Sequence, residues 1–369
     1  MASLAAVYER RGKIKEAEPL YRGTVATMTR VLGEQHPDTL KAMNGLAVTY
    51  AEEGDYAKAE PIFERVVAGE QRVLGEQDLQ TLRAMGNLAA TYDMLHKYSL
   101  AEPLLVKTLE LKRRSLGEEN PETLDTMTNL ATYYTERGDY AKAEPLEAAA
   151  VAAYRRILGD SHPHTINAMN VLALLYRNRG DYAQAEALCK QALEGARRGP
   201  GEEHPIALAT VSELAQTYEK EGRLADAASL FEKALDARRR VLGAAHPDTL
   251  ESLVLLGSVR IKQQNYVGAE STLREALAAC EKSEPDAWQC GNVRARLGAS
   301  LADQKRFADA EPLLLAGYQG MTQHQDTMDA PDRHNLVDAG QATLKMYRDW
   351  GKPEKAAEWQ RRLPPQPAN

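Results

Sequence analysis

Three phenylalanines, three tryptophans and three cysteines are few for a chain of 369 residues, whereas tyrosine is plentiful at sixteen. Three cysteines (Cys189, Cys280 and Cys290) cannot build the disulfide framework of a small secreted domain, so a reducing, cytoplasmic setting is expected. Cys280 and Cys290 could meet across a loop between two helices; free thiols are the expectation, and their pairing is left open. No apolar run approaches the ~20 residues that cross a bilayer. The opening Met1 to Arg11 has no basic stretch leading into an apolar core, so no signal peptide is read. Basic excess is missing too: 46 Lys and Arg stand against 53 Asp and Glu, a net charge of −7. Nucleic acid and anionic membranes both need the opposite sign, so neither is the expected partner. There is no glycine-rich phosphate loop, no Gly-x-Ser-x-Gly elbow, no His-Glu-x-x-His and no cysteine pair at metal spacing. Neither an enzyme nor a metal or cofactor site is expected.

What is present is a repeat. Leu32-Gly33-Glu34-Gln35-His36-Pro37 returns at Leu74, Leu116, Leu158 and Leu242, on a spacing of 42 or twice 42, with a blurred copy at Gly201-Glu202-Glu203-His204-Pro205. Arg30, Arg72, Arg114, Arg156, Arg198 and Arg240 fall on the same ruler. Within one unit Met43, Leu46, Ala47 and Tyr50 lie three or four apart, which marks one helix face. Gly54-Asp55 breaks the chain, and Tyr56, Ala59, Ile62, Phe63, Val66 and Val67 mark a second helix. Small residues recur where the two helices should cross: Ala47, Ala89, Ala131, Ala173, Ala215 and Gly257 in one column, Ala17, Ala59, Ala101, Ala143, Ala185, Ala227 and Ala269 in another. Only small side chains let helix axes approach to the ~8–10 Å of close packing. A hairpin of this kind cannot bury its apolar face alone, so neighbours must stack.

Histidine before proline at His36, His162, His204 and His246 suggests metal, yet the same position holds Asp78 and Asn120. Asp and Asn are strong helix N-caps and proline suits the first helical position, so the position reads as a cap. Prolines near the start of each second helix (Pro19, Pro61, Pro103, Pro145, Pro312) cost a hydrogen bond and predict a local bend. Glu18, Glu60, Glu102, Glu144, Glu186, Glu270 and Glu311 form one column beside the small alanine. A carboxylate repeated in every unit reads as architecture rather than catalysis.

Leu-Ala-x-x-Tyr followed by Gly-Asp-Tyr-x-x-Ala-Glu-Pro-Leu resembles the tetratricopeptide repeat. The usual period is ~34 residues, and the longer unit is similar to the kinesin light chain subtype. The resemblance implies an all-α, right-handed superhelical solenoid of stacked antiparallel helix pairs. Residues 1–325 are expected to form about eight repeats, the first truncated as in a fragment of a longer protein. Residues 326–363 are expected to be degenerate capping helices and 364–369 a disordered tail. The segment with Trp288, Cys290, Arg306 to Tyr318 and Trp350-Gly351-Lys352-Pro353 resembles the closing part of bacterial proteins in which such repeats follow a serine/threonine kinase domain.

In this family the concave face is lined by the first helix of each repeat, and the resemblance to kinesin light chains implies that asparagines there hold a peptide main chain. The matching residues are Asn44, Asn87, Asn129 and Asn170. A carboxamide offers both donor and acceptor to an extended chain, and asparagine inside a helix requires a reason. Solvation, or a bond to the neighbouring repeat, would be such a reason as well. Lys41, Arg83 and Arg177 are the few cations on the same face. At the lysine position of the carboxylate-clamp receptors stand Asn44, Gly86, Thr128 and Asn170, which disfavours a chaperone tail. The expected function is a non-enzymatic scaffold that binds a peptide segment or partner protein in the groove. A regulatory module of a larger signalling protein such as a kinase is the alternative, and a helical nucleic-acid binder a weaker one. The sequence leaves the oligomeric state undetermined.

Overall fold

The computed structural model describes residues 2–9, 14–244, 246–283, 287–325, 328 and 333–363. The expected tail at 364–369 lies outside these residues. The described residues form helices and no strand, and the chain divides into two compact units, 1–157 and 158–369.

The first unit holds α1 (Ala2–Glu9), α2 (Ile14–Leu32), α3 (Pro37–Glu52), α4 (Tyr56–Val73), α5 (Leu79–Met94), α6 (Tyr98–Leu116), α7 (Pro121–Glu136) and α8 (Tyr140–Leu158). The second holds α9 (Pro163–Arg179), α10 (Tyr182–Arg198), α11 (Pro205–Glu221), α12 (Leu224–Val241), α13 (Pro247–Lys262), α14 (Tyr266–Ser283), α15 (Trp288–Asp303), α16 (Phe307–Gln323), α17 (Arg333–Asp349) and α18 (Pro353–Arg362). Each helix packs on the next in sequence from α1 to α7 in the first unit and from α9 to α18 in the second, and the odd-numbered helices open the pairs.

The cap reading holds at all six positions. His36, His162, His204 and His246 each accept the backbone N–H two residues on at Nδ1, at 3.2 Å. Asp78 and Asn120 do the same through a side-chain oxygen, at 2.8 and 3.0 Å. Upstream of each cap a glycine takes φ between 80° and 104° (Gly33, Gly75, Gly117, Gly159, Gly201, Gly243), a region that a Cβ disfavours. The threonine three residues after the cap ties the turn down, as Thr81, Thr123, Thr165 and Thr249 donate to the glycine carbonyl at 2.8–2.9 Å.

Both small columns are fully buried: Ala47, Ala89, Ala131, Ala173 and Ala215 in the first, Ala17, Ala59, Ala101, Ala143, Ala185, Ala227 and Ala269 in the second. At Gly257 even a methyl group is too large, since a Cβ would lie 2.7 Å from Leu273. The helices run unbroken through the internal prolines. Each proline is on an exposed face of its helix.

Tyrosine and glutamate columns meet. Tyr50, Tyr134, Tyr218 and Tyr347 donate their hydroxyls to Glu18, Glu102, Glu186 and Glu311 of the preceding second helix at 2.7–3.3 Å. A cation completes the group: Lys142 bonds Glu102 and lies over the Tyr134 ring, and Arg223 does so with Glu186 and Tyr218. Four of the sixteen tyrosines are tied to the repeated glutamate in this way, and Tyr92 bonds Glu64 instead of Glu60.

The expectation of free thiols fails for one pair. Cys280 at the end of α14 and Cys290 in the first turn of α15 form a disulfide, their Cα atoms 5.7 Å apart. Stacking brings the end of one helix against the start of the next, which decides the pairing that the sequence left open. Cys189 is free and buried in α10.

Candidate functional site

The asparagines are on the first helices, in two adjacent columns. Asn87 on α5 and Asn129 on α7 are equivalent positions in successive repeats. Asn87 is half-buried and Asn129 exposed, and neither side chain has a hydrogen bond within the described residues. Asn44 on α3 and Asn170 on α9 occupy the preceding column. Their Oδ1 atoms point inward, buried and without a partner. The methionine beside each column (Met43, Met85, Met127, Met169) is buried and fixes which way the helix is turned. The first unit therefore brings Asn44, Asn87 and Asn129 to one set of stacked helices, while Asn170 belongs to the second unit.

The three cations differ. Lys41 is exposed on α3 and has no ion-pair partner among the described residues. Arg83 reaches across to Glu122 of α7, bonding its Oε1 through Nε at 3.0 Å and through a second nitrogen. Glu122 also receives the buried Lys112 at 3.3 Å, and the Arg83 guanidinium holds its carboxyl below the usual range. Arg177 is more strongly committed. Its Nε and Nη2 grip the two oxygens of Glu213 at 2.6 and 3.2 Å, with both side chains nearly buried. Arg83 and Arg177 thus hold neighbouring first helices together, and of the three only Lys41 offers an unmatched charge.

Two features were missed. The core column Tyr21, Phe63, Leu105, Cys189, Phe231 and Leu273 is interrupted by Glu147 on α8, which is fully buried. Thr128 donates to its Oε1 at 3.3 Å, Oε2 has no partner, and burial pushes its pKa up to about 8. The second is Arg296 on α15. Aligning Arg296-Leu297-Gly298 with Asn129-Leu130-Ala131 puts it in the column of Asn87 and Asn129, and that alignment was the available signal.

The tetratricopeptide repeat family model matches overlapping segments at 1–69, 52–114, 98–156, 125–198, 165–239 and 205–282. The chain belongs to the tetratricopeptide repeat family. No curated protein matches it. Among solved structures, the chain is similar to a Podospora anserina protein described as kinesin light chain nearly identical TPR-like repeats. That protein is 27% identical, with 56% of this chain and 97% of that one covered, at a TM-score of 0.49. BtubC (BKLC) of P. vanneervenii is 22% identical over 63% of this chain and 94% of that one, TM-score 0.52. The apo quorum sensor NprR of B. thuringiensis is 15% identical over 96% and 98%, TM-score 0.60, a likeness of fold. Tetratricopeptide repeats are in general binding scaffolds rather than enzymes. Among the described residues no helix is long and apolar enough to cross a membrane.

Proposed function

We propose that the chain is a non-enzymatic scaffold whose first-helix face in the first unit binds an extended peptide segment of a partner protein. One observation carries this reading: the carboxamides of Asn87 and Asn129 repeat at equivalent positions on successive first helices with no partner of their own. Each can give and take one hydrogen bond with a main chain. Arg83 of α5 reaches Glu122 of α7, so the two first helices are neighbours and an extended peptide can pass both carboxamides. Asn44 adds the amide of its column, and Lys41 favours a segment with an acidic residue at that end. Asn170 repeats the Asn44 arrangement in the second unit. Arg83 and Arg177, already bound to Glu122 and Glu213, support the helices rather than the ligand.

The net charge of −7 makes nucleic acid and anionic membranes poor partners. A cytoplasmic location fits the composition, although the Cys280–Cys290 bridge is of a kind that persists in oxidising compartments. Peptides selected from a random displayed library on the wild-type protein provide the test. Asn87→Ala with Asn129→Ala should weaken a selected peptide by about tenfold or more, at ~1 kcal/mol per hydrogen bond. Unchanged affinity in a double variant that melts like wild type would remove the reading.

A further inference from the structure

The second unit contains a cavity of about 470 Å³ between α13, α14, α15 and α17, within the range of small-molecule sites. Its walls are apolar: Leu250, Val254 and Leu255 from α13 face Trp288 and Val293 from α15, with Cys280 of the disulfide behind them. Arg296 lines it as well. The guanidinium is fixed from three helices at once. Nε donates to Asn292 Oδ1 at 3.0 Å, Nη1 to Ser258 Oγ of α13 at 2.8 Å, and Nη2 to Asn335 Oδ1 of α17 at 2.8 Å.

All three acceptors are neutral. Arg296 has no ion pair among the described residues, and Asp338 and Glu219 act on it only at longer range. Burial costs the charge, and its pKa falls for that reason. Arg177 in the same unit resolves the same cost with the two oxygens of Glu213. At Arg296 each Nη retains one further N–H, and two parallel N–H groups match a carboxylate. Glu251 is also a lining residue, on the exposed side of α13, and it disfavours a second negative charge on the ligand.

We propose that this cavity binds a small apolar monocarboxylate, its carboxylate on the free Nη1 and Nη2 donors of Arg296 and its body against Trp288, Leu250, Val254, Leu255 and Val293. The site shares no residue with the proposed asparagine face. A free acid and the C-terminus of a peptide ending in a large apolar residue carry the same chemistry.

Hydrocinnamate, its amide and the free-acid tripeptide acetyl-Ala-Ala-Phe are the probes, titrated calorimetrically into the full chain. Hydrocinnamate should bind saturably, with the amide at least about tenfold weaker because it loses a charge-assisted bidentate pair. Arg296→Gln should abolish the preference for acid over amide. Arg296→Lys, which keeps the charge and loses the fork, should reduce it, and serves where the glutamine variant does not fold. Val254→Trp fills the cavity without touching the guanidinium and should remove binding with the thermal melt intact. Tighter binding of the tripeptide than of hydrocinnamate identifies a peptide terminus as the ligand; equal or weaker binding identifies a free acid. Equal affinity for acid and amide, no saturable binding of either acid at millimolar concentration, or binding that survives Val254→Trp would overturn the proposal. Asn87→Ala with Asn129→Ala should leave hydrocinnamate binding unchanged, which separates this site from the peptide face.

Discussion

The same repeat column holds Asn87 and Asn129 in the first unit and Glu213, Leu255 and Arg296 in the second. At Asn87 and Asn129 of the first unit the column is polar, neutral and unbonded, and at Gly45 of the same unit it has no side chain. In the second it is charged or apolar: Glu213 is locked to Arg177, and Arg296 stands among apolar walls. Caps, turn glycines and small crossing residues are alike in both units, because each helix pair needs them in order to stack. Columns that do not carry the stacking are free to differ, and there the two units acquire different surfaces. The core column shows the converse. Glu147 occupies in the first unit a place that Cys189, Phe231 and Leu273 fill in the second.

Glu147→Leu, which gives the first unit the residue type of Leu105, removes that contrast and carries the largest expected effect. Its carboxyl is raised to about 8 by burial, against about 4.3 in an unfolded chain. The folded state therefore binds the proton more tightly. The contribution of Glu147 to stability should be most favourable below about pH 4.3 and decline as pH rises towards about 8. The leucine variant should gain about 3 kcal/mol at pH 8 and clearly less at pH 5, since the buried charge and its unpaired oxygen are gone. Denaturant melts at the two pH values check this; a gain independent of pH would mean that the carboxyl ionises in the folded protein as it does in the unfolded chain.

Reduction of Cys280–Cys290 should affect only the second unit. Closing a ten-residue separation stabilises by about 2–3 kcal/mol in the chain-entropy account. Dithiothreitol, or Cys280→Ser with Cys290→Ser, should lower hydrogen-exchange protection in α14 and α15 and leave α3 to α7 as they were. Protection falling equally in both units would contradict the division.

The smallest effect concerns what the units have in common. His162→Asn should leave the melting temperature nearly unchanged, because Asn120 performs the same cap one repeat earlier. His162→Leu should cost about 1 kcal/mol. A large loss in the asparagine variant would show that the imidazole does more than cap α9.

Much of this was legible in advance. The period, the helix pairs, the six caps and both small columns follow from signals local to one repeat, and repetition shows each of them several times. The prolines were legible as a cost, and only the structure showed that the helices continue through them. The candidate site was less legible. Column position placed Asn87 and Asn129 on the first helices, but whether a cation is free depends on what faces it from a neighbouring helix. Arg83 and Glu122 are 39 residues apart, Arg177 and Glu213 36 apart, and the repeat pattern does not say that either pair will meet.

The sequence by itself determined the unit: its length, its two helices, the residues that cap and cross them, and the tyrosine–glutamate columns that recur with it. These depend on backbone geometry and on side-chain size, which a repeating pattern displays directly. Only the tertiary structure decided which charges are matched, that Cys280 meets Cys290, that Glu147 is sealed in the core, and that Arg296 is fixed in an apolar cavity by three neutral acceptors. Each of these depends on contacts between different helices, where a single side chain in one repeat changes the outcome and no periodicity records it.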